Sequence, residues 1–265
     1  MAQTSGVGPT ALSGEQLAQM LALMKKSDSV ELKLTVPQSE RRSAITALEM
    51  DPLDAQIRQV YFFDTPDLDL NRHGVVVRAR RVQGRPHDTI VKRRPVVPDE
   101  LPDNLRLSPD FVVEVDAMPG GFVCSAALRA AVGPTDVHET IAGRQPIRKL
   151  FTKQQRAFFE SSAPTGISLD DLSYLGPTFV LKLKMTPPEL GRRLAAELWT
   201  YPDGSRILEL STKCLPSEAF QVAAEARAFL TSRGLTLAGE QETKTRKTLE
   251  FFSNELRAGL EEATT

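Results

Sequence analysis

The stretch SVELKLTV, residues 29–36, alternates without a break. Val30, Leu32, Leu34 and Val36 share one parity, and Ser29, Glu31, Lys33 and Thr35 share the other. A two-residue period is that of a β-strand with one apolar and one polar face. The same division recurs along the chain, and this recurrence limits the fold more than any other feature. In VVVRARR, Val76, Arg78 and Arg80 lie opposite Val75, Val77 and Ala79, and in DTIVKRRP, Ile90, Lys92 and Arg94 share a side. FVVEVDA sets Glu114 and Asp116 against Val113 and Val115, and VLKLKM sets Lys182 and Lys184 against Leu181 and Leu183. Read as strands, TKQQRAFF groups Gln154, Arg156 and Phe158, ISLDD groups Ser168 and Asp170, and ILELSTK groups Glu209, Ser211 and Lys213.

A sheet face washed by solvent has the same parity, so the pattern alone leaves both readings open. Two features favour an enclosed face. Nearly every strand carries Arg, Lys, Glu or Asp on its polar side, where surface strands usually mix in neutral residues. The tally is also unbalanced: nine cations stand against five carboxylates on this face, in a chain of 265 residues with net charge −1. If the sheet curls with that face inward, it forms a basic, water-filled channel walled partly by carboxylates. The aliphatic face then turns outward beneath helices. Like charges held close together are costly unless an anion sits between them. A triphosphate, with one to two charges per phosphate, suits Arg and Lys clamps. Carboxylates on the same wall suit Mg²⁺ or Mn²⁺, hard cations that take oxygen ligands. An apolar-ligand barrel of the lipocalin kind would need the opposite parity inside and ranks last.

Between the strands, SGEQLAQMLALMKK reads as a helix capped by Ser13, and TPDLDLNRHG as a single turn ending at Gly74, with His73 as its C-terminal cap. PGGFVCSAALRAAVG has helical spacing after its Gly-rich front, with Cys124 buried and inert in it. SEAFQVAAEARAFLTSRG reads as a helix from Ser217 to Gly234, and EQETKTRKTLEFFSNELRAGLEE as a second, with KTRKTLEFF a solvated face able to close one channel mouth. Trp199, sharing a side with Glu197 and Tyr201, reads as a packing residue, and His87 and His138 as loop residues on the surface.

No segment between residues 28 and 252 looks like a linker. The expected layout is a disordered stretch and short helix over 1–27, one β-rich domain over 28–252, and a helix end and tail over 253–265. The near-neutral charge argues against a nucleic-acid partner, and no apolar run has the length of a membrane span. The two cysteines, Cys124 and Cys214, match no metal-ligand spacing, which suits a reduced, cytoplasmic chain. The fold class expected is α+β: eight antiparallel strands, or slightly more, closed into a barrel with a charged lumen and helices outside. Oligomeric state is not legible.

VELKL, YFFDTPDLDLNRHGVVVRARR, TIVKRRP, FTKQQRAFF, GISLDDLSYLG and LSTKC resemble, in order and spacing, the CYTH superfamily of triphosphate tunnel metalloenzymes, over roughly residues 28–252. That family includes thiamine triphosphatases, inorganic triphosphatases and one class of adenylate cyclase. Its block from Tyr61 to Arg80 is the most specific element. The resemblance implies an eight-stranded tunnel with inward charges, and it implies roles. Glu31 and Lys33 match the end of the ExExK signature. Arg78, Arg80, Lys92, Arg156 and Lys213 match phosphate-binding residues, joined here by Arg94, Lys182 and Lys184. Glu114 and Asp170 match tunnel acids, with Asp170 a metal ligand beside Glu31. The catalytic set is Lys33, Glu31 and Asp170. Two departures stand out: Ser29 replaces the first signature glutamate, and Lys182 and Lys184 replace the late acidic pair. The two lysines repel a cation and attract phosphate, which weakens metal binding there and keeps anion binding. Glu114, Asp116 and Glu209 are the acids able to rebuild a metal site. The expected function is binding of tripolyphosphate or a nucleoside or thiamine triphosphate, with metal-dependent hydrolysis. The alternatives are a non-catalytic polyphosphate or nucleotide sensor and ATP cyclisation.

Overall fold

The computed structural model describes residues 13–235 and 244–262. The expected disorder of the first twelve residues, and the start of the last helix before Lys244, lie outside them. The alternating segments form β1 (Ser29–Val36), β2 (Gln56–Asp64), β3 (Val75–Val82), β4 (His87–Arg93), β5 (Phe111–Met118), β6 (Gly121–Val132), β7 (Ser173–Met185), β8 (Leu194–Thr200) and β9 (Arg206–Cys214). These nine close into a barrel in the order β1-β5-β6-β4-β3-β2-β7-β8-β9. Every pairing is antiparallel except β1 with β5, which is parallel. Nine strands agree with the expected eight or slightly more, and the parallel seam departs from the all-antiparallel expectation. A parallel pair needs a long connection, and the chain from β1 to β5 supplies one by building β2, β3 and β4 on the way.

The aliphatic parity faces outward, under helices. Val30, Val77, Val91, Val113, Val115 and Leu128 are buried with Met20 and Met24 of α1 (Gly14–Met24). On the next sector, Leu34, Val36, Ala196, Leu208 and Leu210 are buried with Ala44 of α2 (Arg41–Ala47). Each such aliphatic side chain contributes roughly 1.5–3 kcal/mol when fully buried, so this outer shell holds the ring closed and leaves the inner face free for charges. The single turn α3 (Asp69–Arg72) follows β2 as expected, with His73 as its C-cap. Asp64, the acid of the YFFDT stretch, accepts hydrogen bonds from the backbone N–H groups of Thr65, Leu70 and Asn71 at 2.8–3.0 Å. That carboxylate builds the turn. Gly74 has φ +72°, and a Cβ on it would lie 1.9 Å from the Arg94 carbonyl oxygen, so only glycine lets the two segments meet.

Four local expectations change. After the short α4 (Asp103–Arg106), the PGGFVCSAALRAAVG segment is strand β6 and not a helix. Its small inward residues Ser125 and Ala127 sit opposite Glu114 and beside Lys92 in the strand registers, where larger ones would fill the lumen. TKQQRAFF is helix α6 (Lys153–Glu160), which follows α5 (Asp136–Ile141). Thr152 and Gln155 form a capping box at its start, and Phe158 and Phe159 bury on the barrel's outer face. The Gln155 amide ties it down by donating to the carbonyls of Thr89 and Leu128 at 3.3 and 3.2 Å. ISLDD is also not a strand, since Leu169–Asp171 form a 3-10 turn. His87 begins β4 and His138 lies in α5, where loops were expected.

Two helices complete the molecule. In α7 (Ala219–Ser232), Glu218 takes the N-cap place expected for Ser217, because Pro216–Glu218 already form a 3-10 turn; Phe229 and Leu230 cover the β8–β9 sector. In α8 (Lys244–Glu262), Leu249 and Phe252 pack with Val60, Phe62, Val76, Val180 and Trp199. Those five strand residues have the inward parity. The lumen therefore contains an apolar layer sealed by α8, next to its charged layer, and the solvated face expected for KTRKTLEFF is partly a buried one. Among the described residues, no helix is long and apolar enough to cross a membrane.

Candidate functional site

The lumen holds a cavity of about 170 Å³ lined mainly by charged side chains, with Val60, Val76, Ile90, Val180 and Trp199 among them. One wall comes from β1, β5 and β9. Residue Glu31 pairs across the ladder with Asp116 and with Lys213, and Ser29 with Glu114. This brings carboxylate oxygens of Glu31, Glu114 and Asp116 within 4.8 Å of one another. Three ammonium groups surround them. Lys33 Nζ lies 2.7 Å from Asp116 and 3.1 Å from Glu31, Lys92 Nζ lies 3.3 Å from Asp116, and Lys213 is ion-paired with Glu114. Ser29 Oγ, in the place of the missing glutamate, donates to Glu114 at 3.2 Å.

Burial alone would raise the carboxyl pKa values here, but the lysines overcome it. Lys33 and Lys213 hold Glu31 at about 2. Lys92 and Lys33 hold Asp116 at about 2. Lys33 itself is pushed upward, since Asp116 and Glu31 outweigh its own desolvation. Glu31 and Asp116 are thus ionised oxygen donors, and Glu114 brings a third carboxylate beside them; carboxylate oxygens are the donor set a hard divalent cation takes. The arrangement fits Mg²⁺ or Mn²⁺, with the three lysines as competitors for the same oxygens.

The facing wall is made of guanidinium groups. Arg58 on β2, Arg78 and Arg80 on β3, Arg129 on β6 and Arg94 just beyond β4 all border the cavity. Arg80 is neutralised by Asp88, with two hydrogen bonds of 2.8 Å. Arg58 donates only to the neutral Gln56 oxygen, at 3.0 and 2.7 Å. Among the described residues, Arg58, Arg78, Arg94 and Arg129 have no carboxylate in ion-pair contact. Arg78 Nε is buried without a hydrogen-bond partner. Burial, reinforced by Arg80, pushes the Arg78 guanidinium down to about 9. Desolvation likewise lowers Arg58 and Arg94. Several uncompensated, partly desolvated cations around one small space form an anion-binding cavity by elementary electrostatics.

The third group is carboxylates on β8 and β9. Glu197 and Glu209 are direct cross-strand neighbours, each 8 % exposed. Lys182 Nζ lies 2.6 Å from Glu197, and Lys244 from α8 reaches both, at 2.7 Å from Glu209 and in ion-pair contact with Glu197. Trp199 Nε1 donates to Glu197 at 3.2 Å, and the Lys244 ammonium lies 5.2 Å from the centre of the Trp199 ring.

The expected site residues divide as follows. Glu31, Lys33, Arg78, Arg80, Lys92, Arg94, Glu114, Asp116, Lys182 and Lys213 converge on the lumen. Glu209 is also inward but belongs with Lys244, apart from the Glu31 cluster. Lys184 shares the inward parity but is exposed, beyond Lys182. Two expectations are corrected. Asp170 sits in the 3-10 turn, on the outside, where it accepts from the Arg148 backbone N–H at 2.9 Å and pairs with the Arg148 side chain. Arg156, on α6, donates to the carbonyls of Phe151 and Arg148 at 2.9 and 3.3 Å. Both were placed inside by a strand period that the chain does not have there. The reading missed Arg58, Arg129, Glu197 and Lys244. The parity rule applied to LAAELWT and to IRQVYFFDT marks Glu197 and Arg58. Arg129 was hidden in the segment read as helix, and nothing local marks Lys244.

No protein-family model matches the chain, and no curated protein matches it. Solved structures do. A candidate adenylate cyclase from Bacillus halodurans superposes with a TM-score of 0.57 at 13 % identity, over 83 % of this chain and 97 % of that one. A candidate adenylyl cyclase from Hippeastrum, described as having a dominant triphosphatase activity, superposes with a TM-score of 0.58 at 18 % identity, over 80 % and 91 %. The chain has the fold of these structures, in agreement with the tunnel that the CYTH resemblance implies. In this tunnel, the departures noted in the sequence acquire a spatial meaning. Lys182 occupies its wall as the partner of Glu197, and the acids are redistributed to Glu31, Glu114 and Asp116 on one side and Glu197 and Glu209 on the other.

Proposed function

We propose that this chain binds triphosphate-containing anions in the tunnel and hydrolyses them with a divalent cation held by Glu31, Glu114 and Asp116. The observation that carries the reading is the juxtaposition, in the lumen, of the Glu31, Glu114 and Asp116 carboxylate cluster with four guanidinium groups that lack carboxylate partners. Arg58, Arg78, Arg94 and Arg129 take the phosphate oxygens, since each gains a counter-charge it lacks in the free protein. Lys33, Lys92 and Lys213 stand between the two sets. With a cation held by the carboxylates, these ammonium groups would be released to face the phosphate, where they would neutralise charge that develops during transfer. A bound Mg²⁺ or Mn²⁺ supplies polarisation of a phosphoryl oxygen and activation of a water.

A second reading has its own support. Lys33, Lys92 and Lys213 already neutralise all three acids without a metal, which suits a sensor that binds tripolyphosphate and does not turn it over. The two readings separate in one assay. Phosphate release from tripolyphosphate, ATP and thiamine triphosphate is measured with Mg²⁺, with Mn²⁺ and with chelator, and ATP reactions are also analysed for cyclic AMP. Metal-dependent release is the expected result. Tight binding without release selects the sensor, and cyclic AMP without free phosphate selects cyclisation.

A further inference from the structure

We propose that Lys244 is a tethered cation that holds the Glu197–Glu209 carboxylate pair in the place a divalent ion would otherwise take, so that the tunnel loads a single ion, at Glu31, Glu114 and Asp116. The inference rests on that metal reading for its stoichiometry, and on separate residues for its geometry.

The register of β8 and β9 sets Glu197 directly opposite Glu209, and both are buried. Like charges opposite each other on a sheet destabilise it, and buried carboxylates without a counter-charge cost far more. A cation at this point is therefore a requirement of the ladder. The surroundings are built for one, with carboxylate oxygens from two strands and the face of Trp199 together around a single ammonium group. Lys182 cannot serve alone, because its recorded contact is to Glu197 and not to Glu209.

The ammonium is also held in position by the helix that carries it. The Lys244 carbonyl accepts from Tyr201 Oη at 3.1 Å and from Thr248 Oγ1 at 2.8 Å. One and two turns on, Leu249 and Phe252 anchor α8 in the apolar layer of the lumen. The lysine is thus delivered by a docked helix and not by a free side chain. Two carboxylates with Lys182 and Lys244 sum to zero charge, which leaves the group no attraction for a further ion. Removing the Lys244 charge leaves an excess negative charge among buried oxygen donors, the condition under which a hard cation binds.

The test counts Mn²⁺ ions bound per chain, by equilibrium dialysis with the spin signal of free Mn²⁺, on the full chain without phosphate. The unaltered protein is expected to take one ion, Lys244→Gln two, and Lys244→Arg one. Adding Glu209→Gln to Lys244→Gln is expected to return the count to one. Glu209→Gln alone, in the presence of Lys244, is expected to stay at one. A count of one for both the unaltered protein and Lys244→Gln overturns the tethered-cation proposal and leaves the Glu31 site intact. A loss of ion in Glu209→Gln alone, or two ions in the unaltered protein, also overturns it, because the ion then takes these carboxylates in spite of the lysine. No ion in the unaltered protein, with one in Lys244→Gln that disappears with Glu209→Gln, supports the tethered cation and refutes the Glu31 site. Circular dichroism establishes folding before each count, and if Lys244→Gln does not fold, Glu209→Gln alone carries the test.

Discussion

Replacing Arg78 with methionine should make the free protein more stable and the anion-bound protein harder to form. Arg78 points into the lumen with a buried Nε that has no partner, and burial together with Arg80 moves its guanidinium down from its ordinary value to about 9. It remains ionised at neutral pH, so the lowered value measures the cost of keeping that charge in the folded state. At about 1.4 kcal/mol per decade of proton affinity, this is on the order of 5 kcal/mol, an upper limit because water in the cavity screens the charge. Methionine keeps most of the volume and removes the charge. A recovery of about 1–2 kcal/mol raises Tm by roughly 2–8 °C in a chain of this size. Bound phosphate cancels the same charge, so the variant loses a charged hydrogen bond of about 1.5–3 kcal/mol, a fall in affinity of roughly 10- to 150-fold. Calorimetric titration with tripolyphosphate, with and without Mn²⁺, reads the affinity, and differential scanning calorimetry reads Tm. An affinity within threefold of the parent refutes the assignment of Arg78 to the anion. A fall in Tm alongside the affinity refutes the electrostatic argument and makes Arg78 a packing residue.

Asp170→Asn should leave tripolyphosphate affinity and Mn²⁺ uptake unchanged, and stability within about 1 kcal/mol, because its partner is the exposed Arg148; a tenfold loss of either ligand would return Asp170 to the tunnel. Asp116→Asn should abolish Mn²⁺ uptake measured by dialysis while the fold persists, since it removes the acid shared by Lys33 and Lys92. For Glu197, burial raises the pKa but Lys244 and Lys182 bring it well below 4.5. A depressed acid contributes stability that is complete above its unfolded value and is lost as pH falls through the folded one. Urea unfolding should therefore weaken steadily below about pH 4.5, and Glu197→Gln should cost about 3 kcal/mol at pH 7 and flatten that slope. Phe252→Ala should lower stability by about 3 kcal/mol through loss of the α8 seal, as read by urea midpoint.

Much of this molecule was legible one strand at a time. A period of two assigns each residue to a face with no knowledge of the partner strand, so the grouping of Glu31, Lys33, Arg78, Arg80, Lys92, Glu114, Asp116 and Lys182 on the polar faces of their strands follows from local chemistry alone. The same rule misfires where a short helix imitates it. In TKQQRAFF, the decisive signal was the Thr152 capping box and not the alternation, and in the β6 segment alanine-rich spacing imitated a helix that the barrel's need for small inward residues overrode.

What the sequence determined by itself is which side chains share a face, since that depends only on the backbone period. Which acids stand together was decided by tertiary structure. The parallel seam of β1 with β5 sets Glu31 against Asp116, and the β8–β9 register sets Glu197 against Glu209. Whether an acid faces a cation or a vacant space was decided later still, by α8 docking its first residue into the lumen. Charge pairing falls off over a few ångströms, while partners such as Lys213 and Glu114 lie 99 residues apart in the chain, so no local pattern can report it.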